Sequence, residues 1–305
     1  MRETELAVPA DDGLLVAGTL SVPAGEGPHP AVVLLCPGTL DREGDSRRAR
    51  TALGRALAGA LAAQGVACYR FDRRGIGRTP GDPEAMGFYR QRDDAAAVLR
   101  AVAARPEVST VGAIGYSEAA LHAAWLAAHA DAAAVVLLGC PARTGRDVLA
   151  WAISRWYEDE VPPPGRLALR LLGRSPRQTA GRIADRIEAS TGRVTRVYGI
   201  RMPPSYREYL GHDPLPDLAA IRVPVLALTG TKDRQVDPAD LATITRVVPG
   251  PVEACAVPDL THVLRRVSGH GSLRTYRKQY RRPVDPQLLE QVAIWLAAHL
   301  PGGHS

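Results

Sequence analysis

Apolar residues along this chain fall into two alternating rhythms. Short continuous runs at 31–35, 66–71, 111–115 and 133–138 are too hydrophobic for a sheet with one wet face, so they read as central strands. Between them, apolar positions recur at helical spacing. Leu53, Leu57 and Leu61 mark a helix over 49–64 that Gly65 stops, and further helices are expected at 88–105, ended by Pro106, and at 118–129. An opening β-pair, 5–8 and 14–22, turns at Asp11-Asp12-Gly13. Such alternation predicts an α/β fold, a parallel sheet with right-handed crossovers and helices on both faces.

The rhythm breaks after residue 141. Helical pieces at 147–157, 166–172 and 182–191 are separated by Pro162-Pro163-Pro164 and Pro203-Pro204, and no strong strand is expected among them. Structureless loops beyond about 15 residues are uncommon in compact domains. Residues 142–220 are therefore expected to form a helical cap inserted into a core made of 1–141 and 221–305. Alternation resumes with strand 223–228, helix 238–248, strand 252–257 and helix 286–300. The expected sheet has about eight strands, most of them parallel.

One strand-to-helix junction carries chemistry. Gly115-Tyr116-Ser117-Glu118-Ala119 must reverse the chain tightly, with small residues two before and two after the serine. The following helix aims its N-terminal N–H groups at the hydroxyl, which favours an oxyanion there. A serine before a helix also serves as a plain N-cap. Its place at the end of a central strand in an α/β series favours the nucleophile.

Two further loops supply partners in the order Ser, Asp, His. Asp233 lies just past strand 223–228; Asp237 competes with it, but it precedes Pro238 and reads as the next helix's N-cap. Of eight histidines, His262 stands directly after strand 252–257. Serine is a weak nucleophile without a base, so His262 is expected to take its proton, with Asp233 fixing the imidazole tautomer. The oxyanion would be met by the N–H of Glu118 and by one N–H from Cys36-Pro37-Gly38-Thr39-Leu40. Pro37 has none to give; Thr39 is favoured and Leu40 stays open. The Glu118 side chain reads as a helix N-terminal charge.

Composition narrows the remaining options. The net charge is +6, and lysine occurs only at Lys232 and Lys278, so the positive charge is almost all arginine. Arg274, Arg277, Lys278, Arg281 and Arg282, interleaved by Tyr276 and Tyr280, are what a base-stacking surface would need. The patch is short and no nucleic-acid-binding motif accompanies it, so a solvated face or an anion-attracting rim is the better reading. Cys36, Cys68, Cys140 and Cys255 lack metal-ligand spacing and are expected to act as core hydrophobes in a reduced, cytoplasmic protein. No metal or cofactor is called for. The N-terminus lacks a signal-peptide core, and no apolar run is long enough to span a membrane.

Taken together, these motifs resemble bacterial α/β-hydrolase esterases of the esterase D or lysophospholipase-like, dienelactone-hydrolase-related group. The oxyanion loop Cys36-Pro37-Gly38-Thr39-Leu40-Asp41-Arg42-Glu43-Gly44 is similar to that group's, as are Phe71-Asp72-Arg73-Arg74-Gly75-Ile76-Gly77 and Gly230-Thr231-Lys232-Asp233. Three positions depart from it: Cys36-Pro37 stands in the oxyanion loop, Tyr116 replaces a histidine, and Ala119-Ala120 replaces a glycine pair.

The resemblance implies a serine hydrolase acting on a small or medium-sized ester or acyl substrate. Trp151, Trp156, Tyr157, Leu167 and Leu171 of the cap are candidate pocket lining, although packing the cap onto the core is the favoured reading for any one of them. Thioester, lactone or amide cleavage and acyl transfer use the same machinery. A non-hydrolytic member of the fold is the alternative from another class; a peptidase lacks its accessory domain. Nucleic acid is not an expected partner, and homo-oligomers are left open.

Overall fold

The structure is a computed structural model describing residues 1–38, 40–46, 50–190, 195–197, 200–202 and 204–300. An eight-stranded sheet runs in the order β1-β2-β4-β3-β5-β6-β9-β10. Its strands are β1 (Arg2–Pro9), β2 (Leu15–Val22), β3 (His29–Leu35), β4 (Ala67–Phe71), β5 (Val108–Tyr116), β6 (Val135–Leu138), β9 (Val225–Gly230) and β10 (Val252–Val257). β1 and β2 form an antiparallel hairpin, and β2 pairs antiparallel with β4. From β4 to β10 every pairing is parallel. The continuous apolar runs are the strands buried on both faces: β4, β6 and β9 have no exposed residue.

Helices cover both faces. α2 (Phe88–Ala103), α3 (Glu118–His129), α8 (Leu215–Ala220) and α9 (Asp240–Val247) share one core cluster with Val33, Ala113, Leu137 and Ala227. α1 (Leu53–Ala63) and α11 (Pro286–His299) close the other, over Val32, Ile114, Val136 and Leu228. Alternate residues of one strand thus feed opposite cores, the period-two geometry of a strand. The helix expected from 49 begins at Leu53, and residue 49 lies outside the described residues.

Between β6 and β9 the chain forms α4 (Gly145–Glu160), α5 (Pro163–Leu171), α6 (Pro176–Glu188) and α7 (Pro204–Gly211). Leu149, Ala184, Ile187 and Leu210 join α4, α6 and α7 in a small apolar cluster. A short hairpin, β7 (Thr195–Val197) with β8 (Ile200–Met202), interrupts the helices. No strong strand was expected here, and this short ribbon went unforeseen. Three-residue strands give too few positions for a period to register.

Ion pairs tie the inserted helices to the loops beneath. Asp159 meets Arg234 at 3.1 Å and His270 at 2.7 Å, Glu160 meets Ser272 and Arg274, and Arg143 meets Asp237 at 3.0 Å and also Asp240. Among the described residues, no helix is long and apolar enough to cross a membrane.

The cysteine expectation needs one correction. Cys36, Cys68 and Cys140 are buried, but Cys255 is exposed. It sits on the edge strand β10, whose residues 253–256 are all exposed.

Candidate active site

The backbone of Ser117 sets the geometry. It holds φ 57° and ψ −129° between β5 and α3, a conformation costing a non-glycine residue about 1–3 kcal/mol. Tight packing imposes it. A Cβ on Gly115 would lie 2.5 Å from Ala120 Cα and 2.7 Å from Ala123 Cβ. The Ser117 N–H donates to Leu138 O at 2.8 Å, fastening the turn to β6.

Asp233 sits in the loop after β9, 3% exposed, and His262 in the loop after β10, 4% exposed. One carboxylate oxygen of Asp233 accepts the N–H groups of Gln235 at 2.8 Å and Val236 at 2.9 Å. The other meets His262 Nδ1 at 2.7 Å. His262 Nε2 lies 3.0 Å from Ser117 Oγ. Three residues expected to meet therefore do meet, 145 and 29 positions apart along the chain. With its Nδ1 proton on Asp233, the ring presents an Nε2 lone pair to the serine hydroxyl. Asp237 is elsewhere: it accepts the Ala239 N–H at 3.1 Å and pairs with Arg143.

Tyr116 contributes something the sequence did not announce. Its buried hydroxyl donates to the carbonyl of His262 at 2.8 Å, and the two rings lie 5.4 Å apart. The residue before Ser117 thus pins the histidine's own backbone. Gly139 (φ 58°) passes beneath: a Cβ there would sit 3.6 Å from both the His262 ring and Asp233 Oδ2.

On the oxyanion side, Thr39 lies outside the described residues. The Leu40 N–H is already used, donating to Pro37 O at 3.3 Å across a turn with Gly38 at φ 59°. Asp72 holds this loop. It accepts the Arg42 N–H at 2.8 Å, the Arg42 guanidinium at 2.8 Å and 3.1 Å, and the Arg78 N–H at 2.9 Å. A Cβ on Gly77 would overlap the same carboxylate, which explains the glycine at that place. The Phe71–Gly77 motif is thereby scaffolding for the neighbouring loop.

A cavity of about 330 Å³ opens over Ser117 and His262. Leu40, Val148, Leu149, Ala152 and Val236 give it apolar wall, while Glu118, Tyr206 and Tyr209 bring polar groups. The five cap residues offered as candidate lining are not among the residues around it. Trp156, Leu167 and Leu171 are 47%, 59% and 80% exposed. Trp151 borders a separate surface cleft under the Arg155 guanidinium, and buried Tyr157 donates to Arg166 O at 2.8 Å. Helical phase is the reason: Val148, Leu149 and Ala152 share the face of α4 that meets the cavity, whereas 151 and 155 share another.

Burial pushes the Glu118 carboxyl above the usual carboxylate range, against the pull of the Arg73 guanidinium. The Arg274–Arg282 patch lacks the stacking surface imagined for it. Tyr276 is buried, Tyr280 borders the cavity, and Arg274 pairs with Glu160. Among the described residues, no cluster of three or more His, Cys, Asp or Glu could hold a metal ion.

A nucleophile elbow, an Asp–His pair after the last two strands and a parallel sheet in this order are together an architecture with known relatives. Residues 32–275 match the model of the Alpha/beta hydrolase family. The chain belongs to that family. An esterase of Thermotoga maritima, EstD, is similar over 92% of this chain at 23% identity, and the match spans 65% of that longer protein. Among solved structures of the α/β-hydrolase fold, Est1E from Butyrivibrio proteoclasticus with ferulic acid bound superposes with a TM-score of 0.64 at 15% identity, covering 96% of this chain and 99% of that one. The Pyrococcus furiosus esterase Pf2001 gives 0.62 at 17% identity, covering 98% and 92%. At such identities the structural likenesses speak for the fold.

Proposed function

We propose that this α/β hydrolase is a serine esterase, cleaving carboxylic esters of small or medium-sized substrates through an acyl-enzyme. One observation carries the reading: an imidazole in contact with both a buried carboxylate, at 2.7 Å, and a serine hydroxyl, at 3.0 Å, on a strained elbow opening into a cavity.

In the first half-reaction Ser117 Oγ attacks the ester carbonyl carbon while its proton passes to His262 Nε2. Negative charge gathers on the carbonyl oxygen, where the Glu118 N–H at the start of α3 donates, joined by the N–H of Thr39. Collapse breaks the bond to the alcohol, which leaves with the proton from His262. Water then enters, gives a proton to the same nitrogen and attacks the acyl carbon; the acid departs and Ser117 regains its proton. Asp233 stays ionised throughout, orienting the ring and offsetting the imidazolium charge. Residues 142–220 serve as the cap, with α4 and α7 bounding the substrate space. The esterase relatives support an ester as substrate, and the apolar wall suits an acyl chain.

A fluorophosphonate probe tests the assignment. Labelling of the native protein that disappears in Ser117→Ala is expected, with p-nitrophenyl ester hydrolysis favouring short or medium acyl chains. A native protein that neither labels nor hydrolyses any ester would overturn it.

A further inference from the structure

The cavity holds a polar group that the reaction described above does not use. Glu118 gives its N–H to the oxyanion, yet its side chain also lines the cavity beside Ser117. Among the described residues its carboxyl makes no hydrogen bond. The residue is half-buried. Tyr206 and Tyr209, one turn apart on α7, line the same space with their rings 5.8 Å apart. Their hydroxyls likewise have no hydrogen-bond partner among the described residues. Glu118, Tyr206 and Tyr209 thus share a cavity with Gln235 and Tyr280 and with the apolar wall of Leu40, Val148, Leu149 and Ala152.

This arrangement carries a cost that needs a reason. An ionised carboxyl on the residue that supplies the oxyanion donor repels the charge that develops there. Two features limit the damage. Burial pushes its pKa up, and Arg73, on the loop after β4, pulls the other way and offsets its negative charge. Arg73 hydrogen-bonds Gln91 and does not line the cavity. A substrate therefore meets the carboxyl and the phenols, with the guanidinium out of its reach. Leucine or methionine would fill the position without repulsion; a carboxyl makes sense if a substrate group pairs with it.

We infer that Glu118, aided by Tyr206 and Tyr209, selects esters whose acyl chain bears a hydrogen-bond donor, a hydroxyl or an ammonium group, near the reacting carbonyl. This rests on the esterase reading and narrows its substrate class. An unpaired carboxyl accepts a hydrogen bond from either donor, and the ammonium adds charge attraction. A site built to hydrogen-bond a substrate group discriminates strongly against the analogue that lacks it, because its own polar atoms are then left unsatisfied. A chain ending in carboxylate would meet like charge and be rejected.

The test compares kcat/KM for three p-nitrophenyl esters of equal length, the butyrate, the 3-hydroxybutyrate and the 3-aminobutyrate, each corrected for spontaneous hydrolysis. Because every ratio is formed within one protein, a general loss of rate in a variant cancels. The native protein is expected to favour both substituted esters over butyrate by at least about tenfold. Glu118→Leu brings both ratios to within about twofold of unity, and Tyr206→Phe lowers them a few-fold. Glu118→Gln is nearly isosteric and guards against misfolding of the leucine variant: its amide oxygen keeps the hydroxyl preference, while the added preference for ammonium disappears. Equal turnover of the three esters by the native protein, or a preference undiminished in both Glu118 variants, overturns the inference while leaving the esterase reading intact. No hydrolysis of any ester by the native protein removes both.

Discussion

The sheet and the helices inserted after β6 are built on different principles. In the sheet, β4, β6 and β9 are buried at every position, and the flanking helices bury Leu57, Leu61, Leu99 and Leu126 to 1% exposure or less. In the insertion, α5 buries nothing, and α4 buries only Gly145, Tyr157 and Glu160. Ion pairs through Asp159, Glu160 and Arg143 tie the insertion to the rest, beside an apolar tie where buried Tyr209 of α7 packs on Phe88. Ser117, Asp233 and His262 all hang from the apolar part, where close packing holds positions to fractions of an ångström. On the proposed reading the reacting groups sit in the least forgiving part, while substrate choice is shared between Glu118 at the start of α3 and Leu149, Tyr206 and Tyr209 of the insertion.

The largest effect expected is at Asp233. Asp233→Asn preserves shape but leaves His262 Nδ1 facing an amide in place of a carboxylate, so kcat for ester hydrolysis should fall by about 10⁴-fold. Thermal unfolding measured beside it should move little. Retention of most activity would detach the reaction from this side-chain set. Next comes packing. Leu137→Ala in β6 should cost about 2–5 kcal/mol in denaturant unfolding, whereas Leu171→Ala on α5, 80% exposed, should stay within about 0.5 kcal/mol. Equal losses at the two sites would erase the contrast.

Leu149→Ala, on the cavity wall contributed by α4, sharpens it from the other side. Acyl-chain selectivity should shift by about tenfold, with longer chains gaining. Smallest is Tyr116→Phe. It strips the His262 carbonyl of its buried donor, lowering stability by about 1 kcal/mol and kcat a few-fold without changing chain-length preference. A change in preference there would place Tyr116 among the selecting residues.

What the amino-acid order made legible follows the same divide. Core strands announced themselves because burial on both faces leaves a continuous apolar run, and Ser117, Asp233 and His262 because each follows such a run at a fixed place in the α/β order. The insertion was harder. Helices near α4, α5 and α6 were foreseen and α7 was not, and Trp156, Leu167 and Leu171, open to a pocket or a core-packing reading, are largely exposed: an apolar side chain on a weakly buried helix says nothing of which way it points. Tyr206 and Tyr209 went unnoticed, although their spacing of three in a short helix put them on one face. The roles of Tyr116 and Asp72 were beyond reach, since each depends on a partner far along the chain, at His262 and at Arg42. Cys255 misled because a run of apolar residues looks alike in a central strand and in an edge strand.

The neighbours β6 and β9 have a final implication. They are parallel and in register, so the excursion of residues 139–224 departs beside Leu228 and returns at Val225 beside Val135, three residues or about 10 Å back along the strands. Doubling the length of chain between two such fixed points adds only about 0.6 kcal/mol of closure entropy. A new insertion could be grafted here, longer or shorter, and the strands on either side would still meet. The insertion can be rebuilt without disturbing the sheet beneath it.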